Sequence, residues 1–342
     1  MPLTNADTRA LIGAVETIHP APAFYLDRYF AELHEFDEES IDFDVISKGR
    51  KLAPFVHPDL PGKLVQTGGM QTKSFKPAYL KPKEAIKPSR GQRRRAGEPY
   101  NGGTLSASAR LEAATMETLE EQRTAIKRRK EFMAVEAIDT GQVVVDGDGF
   151  DRVIVDFGRD ASLSTGLIDA ARWGENGVNP LTAIKAMGAR THKLSGVHAT
   201  DVVFDPMAAE IFQGDAEIRE LLDIRKNRQD EFELGPVDPI SSASYLGSIG
   251  IYDFFVYQDF ALDDDDSEIQ LMPDYTVHML TPAVGGVQAH GAILDAEHGL
   301  QPLEIAPKVW NEQDPPVRMA MTQSAPLVVP TRVNHTGRIR VR

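Results

Sequence analysis

Between Lys48 and Gly103 the chain carries a stretch that limits what the rest can fold into. From Lys48 to Arg95 it holds thirteen Lys and Arg against two acids, Asp59 and Glu84, a net of +11. The whole chain is at −14, so the remaining residues carry −25. Prolines at 54, 58, 61, 77, 82, 88 and 99 fix φ and remove backbone donors, which argues against a helix and against a central strand. The stretch has too few apolar residues to offset the entropy of ordering it alone. A loop of this length inside a compact domain is functional or disordered. Two readings follow: a disordered basic arm for nucleic acid, or a long protruding hairpin completed by a partner subunit.

The surrounding composition is that of an ordinary globular chain. At 342 residues, 42% hydrophobic and 26% charged, it can build a substantial core. Without Cys it has no disulfide or thiolate chemistry. No apolar run approaches a membrane span, and the N-terminus lacks a signal-peptide pattern. A charge of −14 argues against a surface that grips nucleic acid all over.

The flanking sequence alternates helix and strand signals. ADTRALIGAVETI near the N-terminus is a weak helix pattern, ended by His19-Pro20-Ala21-Pro22. Phe24, Tyr25, Leu26, Tyr29, Phe30 and Leu33 form a short aromatic helix face, and residues 41–46 alternate apolar and acidic as a half-buried strand does. From Thr104 to Asp139, Leu105, Ala109, Ala113, Met116, Leu119, Ile126, Met133 and Ala137 recur at helical spacing, with Gly141 placed to end the helix. Its Lys127-Arg128-Arg129-Lys130 cluster reads as a solvated face or a partner contact. Residues 143–157 read as a hairpin turning at Asp146–Gly149, and 158–180 as an irregular connector. Residues 181–189 form a helix that Gly188 or a following residue can stop; residues 199–214 give a strand, then a helix opened by Asp205-Pro206. Residues 216–227 are a charged helix, residues 245–266 are strongly β with four aspartates at the tip, and VRMAMTQ and LVV are strands about a Ser-Ala-Pro bend.

No catalytic constellation emerges. There is no phosphate loop and no dinucleotide fingerprint, and Gly247-Ser-Ile-Gly250 misses a nucleophile elbow by one residue. The nine histidines lack metal-binding spacing, although His278, His290 and His298 could converge in space. We therefore expect no enzyme, no cofactor, no catalytic residue and no metal.

Three stretches resemble one family, the lambda-like major capsid proteins of tailed bacteriophages (protein E family), which have the Hong Kong 97-type capsid fold. QTKSFKPAYLKPKEAIKPS (71–89), with Pro77 to Lys83 at its centre, is similar to the family's extended loop. VVFDPMAAEIF (202–212) resembles its strand–turn–helix corner. Asp314-Pro315 and MTQSAPLVV (321–329) resemble its near-terminal strand. The likeness spans about residues 20 to 330. It implies an α+β fold with an N-terminal arm (1–47), an extended β-hairpin loop (48–103), a peripheral domain with a long spine helix and hairpin (104–190), an axial domain (191–312) and a return strand to the peripheral domain (313–342).

The resemblance also implies a function: a major capsid protein that self-assembles into hexamers and pentamers of an icosahedral head around double-stranded DNA, in the host cell cytoplasm. The expected partners are itself, a portal, a decoration protein, and a separate scaffold protein, because a spine helix starting near residue 104 leaves no room for a fused one. DNA is enclosed without sequence-specific contact, and no membrane is involved. Some relatives crosslink Lys to Asn, but nothing marks such a Lys here. On charge, the extended loop (Lys73, Lys76, Tyr79, Lys81, Lys83, Arg90, Arg93, Arg94, Arg95) is expected to dock on acidic surface of a neighbour, its spine or its arm (Asp37, Glu38, Glu39, Asp42, Asp44). The alternative is a nucleic-acid-binding protein using the same basic arm, with Phe75 and Tyr79 for stacking.

Overall fold

The computed structural model describes residues 23–37, 40–46, 55, 61, 70–93, 106–147, 149–219, 242–262 and 267–342. The expected helix before residue 20, Glu38, Glu39, Arg94, Arg95, the charged helix beyond residue 219 and the four aspartates lie outside these residues.

Four helices frame the fold: α1 (Phe24–Tyr29), α2 (Ala107–Thr140), α3 (Pro180–Ser195) and α4 (Pro206–Gly214). Three are bounded by the local chemistry the sequence supplies. Ser106 caps α2 by accepting the Ala109 amide at 3.1 Å, and Gly141, at φ 76°, closes it. Asn179 and Asp205 cap α3 and α4, each followed by Pro at the first helical position, where the missing N–H costs nothing. At 34 residues, α2 is about 50 Å long.

The central sheet has six strands in the order Ser164–Gly166, Gly337–Arg340, Thr276–Leu280, Asp201–Phe204, Tyr252–Tyr257, Ala243–Ile249. Its inner strands are buried on both faces, so their residues alternate between two cores. Val202, Phe204, Phe254, Val277 and Met279 pack with Trp173, α3 and α4 on one side. Val203, Tyr257 and Leu280 pack with α1 and the C-terminal half of α2 on the other. Beside this lies a three-stranded sheet of Glu32–Glu35, Gly286–His290 and Pro326–Pro330. A second such sheet pairs Ala306–Gln313, Pro316–Gln323 and Lys83–Ile86, and packs on the N-terminal half of α2.

Several expectations need correction. Leu33 is not on the aromatic helix face: α1 ends at Tyr29, and Leu33, 44% exposed, sits in the strand that pairs with Val287–His290. Gly188 does not stop α3, which runs on to Gly196 (φ 85°). Its lack of a side chain serves packing instead, because a Cβ there would lie 2.6 Å from the Tyr252 hydroxyl. The 158–180 connector contributes a sheet strand and the fully buried Trp173. In the Lys127–Lys130 cluster, Lys130 is neither solvated nor free: it is buried and ion-paired to Glu304 at 2.7 Å. After residue 313 the two expected strands, Pro316–Gln323 and Pro326–Pro330, are followed by a third, Gly337–Arg340, which joins the central sheet.

Gly286 shows how closely α1 is seated. A Cβ there would stand 2.5 Å from the Tyr29 carbonyl oxygen and 2.2 Å from the Phe30 ring. At Gly147 nothing lies within 4 Å. Gly286→Ala should therefore lower unfolding free energy by about 2 kcal/mol or more, while Gly147→Ala stays within about 0.5 kcal/mol. Urea denaturation of the two variants checks this contrast.

Candidate assembly surface

The basic stretch divides into two parts with different roots. Its first strand, Met70–Phe75, pairs antiparallel with Ile41–Ile46, in register from Ile41↔Phe75 to Ile46↔Met70. The hairpin thus begins in the arm, before the boundary expected at residue 48. Its base is fixed where Ile41 and Phe75 enter the α1–α2 core. Among the described residues neither strand pairs with a third, so both outer edges stay open.

The second part threads back along the chain's own body. Pro77 is buried, and a Cβ on Gly291 would lie 2.9 Å from its ring. The Tyr79 hydroxyl donates to the Ala292 carbonyl at 2.7 Å and accepts the Leu294 amide at 3.2 Å. Leu80 bridges Ser324, Lys83–Ile86 pairs with Arg318–Met321, and Ile86 is fully buried. Two motif stretches some 240 residues apart, Pro77–Lys83 and Gln323–Leu327, therefore meet in space. A single turn, Ser89–Gln92, then brings Gly91 against the start of α2, where a Cβ would meet the Ala107 carbonyl at 2.7 Å.

The expected contact residues distribute accordingly. Lys73 donates to the Asp156 carbonyl, tying the first hairpin to the Gln142–Gly147/Phe150–Asp156 hairpin. The Lys81 ammonium lies 4.6 Å from the Tyr79 ring centre and that of Lys83 5.0 Å from Trp310, cation–π contacts that leave the charged ends at the surface. Arg90 pairs with Glu84 at 3.5 Å while half exposed, a contact of small energy. Lys76, Arg93 and, on the acidic side, Asp37 are exposed. Asp42 and Asp44 stand opposite Ser74 and Thr72 in the hairpin register, and Lys73 opposite Phe43.

A buried polar seam along α2, which the sequence reading missed, holds this surface in place. Gln122 donates to the Ala320 carbonyl at 3.0 Å and accepts from Thr322 at 2.8 Å. Lys130 reaches both Glu304 and the Gln288 side chain. Glu131 accepts the Tyr25 and Leu26 amides, each at 2.9 Å, and the Tyr257 hydroxyl at 3.2 Å. It thereby caps α1, whose own flanking residue is Ala23. Burial pushes the Glu131 carboxyl up to about 7 against those three donors.

Eight residues on, Asp139 receives His278 Nε2 at 3.1 Å and Arg338 at 3.1 Å. Burial alone would raise its carboxyl, but His278 and Arg338 outweigh that and hold it low. Burial also holds the His278 imidazole low, so it is neutral, with Nδ1 accepting from Tyr25 Oη at 2.8 Å. Arg159 closes the helix end by donating to the Ile138 and Asp139 carbonyls, where the dipole favours a cation. Of the three histidines that might have converged, His278 is thus committed to this cluster. No group of three or more metal-ligating side chains occurs among the described residues.

A family model described as phage major capsid protein E matches residues 7–341. The chain is 28% identical over 327 residues to the major capsid protein of Escherichia phage N15, covering 94% of this chain and 95% of that one. It is 27% identical over 327 residues to the major capsid protein of Escherichia phage lambda, with the same coverage. It superposes with a TM-score of 0.79 on a crystal structure described as the capsid protein of an E. coli CFT073 prophage, at 23% identity and 100% of both chains. On the capsid protein of cyanophage P-SCSP1u the TM-score is 0.51 at 5% identity, over 95% and 89% of the two chains. These two structures are likenesses of fold.

Tyr79→Phe removes a hydroxyl bonded twice to the 292–294 backbone. It should cost about 1–2 kcal/mol and raise amide exchange at Leu294 while leaving the central sheet amides unchanged, as read by hydrogen-exchange NMR or mass spectrometry.

Proposed function

Because the chain belongs to the phage major capsid protein E family, and is a shell-forming major capsid protein of a tailed-phage head, we propose that its basic hairpin is the main bond between neighbours in that shell. The observation that carries this reading is the two-stranded hairpin of Ile41–Ile46 and Met70–Phe75, anchored at its base and, among the described residues, backbone-paired with no third strand. Open edges are templates for pairing with another chain. The connection between the two strands runs through Lys48, Arg50, Lys51 and Lys63, and the following segment adds the exposed Lys76 and Arg93 and, in sequence, Arg94 and Arg95.

The receiving surface is acidic. Outside the Lys48–Arg95 stretch the chain sums to −25, and the outer face of α2 presents Glu120 and Glu121 to solvent. A heterologous contact of this kind, repeated around rings, closes hexamers and pentamers without any single contact being strong. In the same reading the axial part surrounds the capsomer axes. Assembly in the host cytoplasm uses a separate scaffold and a portal, with a decoration protein as a further partner. The DNA inside is held without sequence-specific contact.

Replacing Arg93, Arg94 and Arg95 together by Glu tests the docking. The triple variant should remain folded by circular dichroism yet form no shells or capsomers by gel filtration and negative-stain microscopy. Charge reversal of Asp37, Glu38 and Glu39 to Lys on a co-expressed copy should restore mixed particles if the arm is the receiver. Normal particles from the triple variant would sink the docking scheme. A wild-type monomer with steeply salt-dependent DNA affinity would instead favour a nucleic-acid arm.

A further inference from the structure

We propose that Glu131 is a proton-linked latch on the N-terminal arm: when it is protonated α1 stays seated on the long helix, and its ionisation loosens α1. The latch rests on the geometry of the subunit itself. Only its consequence for shell assembly rests on the reading above.

The argument starts from an imbalance. Glu131 is 1% exposed, and its three hydrogen-bond partners, the Tyr25 and Leu26 amides and the Tyr257 hydroxyl, carry no charge. A buried carboxylate without a cation is costly and favours the neutral form. The charged groups around it are committed elsewhere. On α2 itself, Lys127 pairs with Asp27, Lys130 with Glu304, and Asp139 with His278 and Arg338. On α1, Arg28 pairs with Asp201 at 2.7 Å. From the sheet, His278 is neutral between Tyr25 and Asp139, and Asp259 adds repulsion. Tyr25 and Tyr257 are both held protonated by burial.

The position of Glu131 makes the imbalance mechanical. It is the side chain that caps α1, and α1 leads directly into Glu32–Glu35 and the hairpin strand Ile41–Ile46. Lifting α1 returns the carboxylate to water, so unseating relieves the buried charge. The sign follows from linkage. The seated state holds the Glu131 proton up to about pH 7, whereas a solvated glutamate releases it near its ordinary value of 4.5. Seating is therefore fully supported below about pH 4.5, and that support is lost as pH rises towards 7. Burial shifts the His278 imidazole down, and its partners hold the Asp139 carboxyl low, so both lie on the acid side of the Glu131 midpoint.

Hydrogen exchange on the full chain, corrected for intrinsic exchange and with assembly state checked by gel filtration, reads the latch directly. In the wild type the opening constant at residues 24–30 should rise about tenfold or more between pH 5 and pH 8, a conservative share of the linkage available. Central-sheet amides at 202–204 serve as the internal reference. Glu131→Gln, a neutral isostere, should flatten that rise to under about twofold. Should that variant fail to fold, Tyr257→Phe deletes one donor to the ionised form and should move the midpoint to higher pH. A flat wild-type profile, an equal rise in Glu131→Gln, or an unmoved midpoint in Tyr257→Phe would each overturn the latch. These readouts concern α1 within one subunit, so their failure leaves the docking scheme standing, and failure of the docking scheme leaves them interpretable.

Discussion

The long helix carries polar side chains on the face it buries, and everything around it is placed by how they are satisfied. A helix packed only through Leu and Ala could slide or rotate at small cost, because apolar contact is not directional. Gln122, Lys130, Glu131 and Asp139 remove that freedom, since each has a partner in a different element. Gln122 fixes the strand Pro316–Gln323, and Lys130 fixes the segment carrying Glu304 and the strand carrying Gln288. Glu131 fixes α1, and Asp139 fixes the central sheet through His278 and Arg338. A buried group left unpaired costs a few kcal/mol, so any shift of register along α2 would break several such contacts at once. The seam specifies one arrangement more than it adds net stability.

This seam also explains where the sequence was legible and where it was not. Some helix ends could be read because caps are local: Asp205 and Gly141 act within four residues of themselves. The hairpin at Asp146–Gly149 and the fully apolar strand Val202–Phe204 could be read for the same reason. Lys130 could not, because on a helix wheel it belongs to a run of four basic residues and nothing local distinguishes the one that turns inward. Glu131 was equally hidden, its partners being more than 100 residues away. The strand Ala306–Gln313 escaped because its pattern is broken by Pro307, Lys308 and a polar end, while its pairing is supplied by the next strand.

The basic stretch was partly legible in the same sense. Its charge and prolines mark it as poor in core of its own, and in its first half the described strand Met70–Phe75 takes its pairing from the arm strand Ile41–Ile46. Its second half finds what it lacks inside its own chain. Pro77 and Tyr79 lie against residues 291–294, and Leu80 and Ile86 pair with Ser324 and Arg318, so the motif around Pro77–Lys83 is a docking seam within the subunit before it is anything between subunits. Composition cannot show this, because the partner residues Gly291, Ala292 and Ser324 are small and carry no charge. The resemblance grouped both motifs without saying that they touch.

Joining these elements gives the surface its mechanical character. The hairpin is rooted at Ile41 and Phe75, in the same core as Tyr25, Leu26 and Tyr29 of α1 and the following Phe30. Its root and the arm helix therefore share one support, and that support includes the Glu131 carboxyl. A projecting element with no core of its own transmits force only through its base, so the rigidity of the base limits how firmly a neighbour is held. Packing at Gly286 makes the base stiff, whereas the unbalanced carboxylate makes it conditional. In the proposed docking scheme, the same few side chains that close the subunit's core set the angle and the compliance with which it meets the next one.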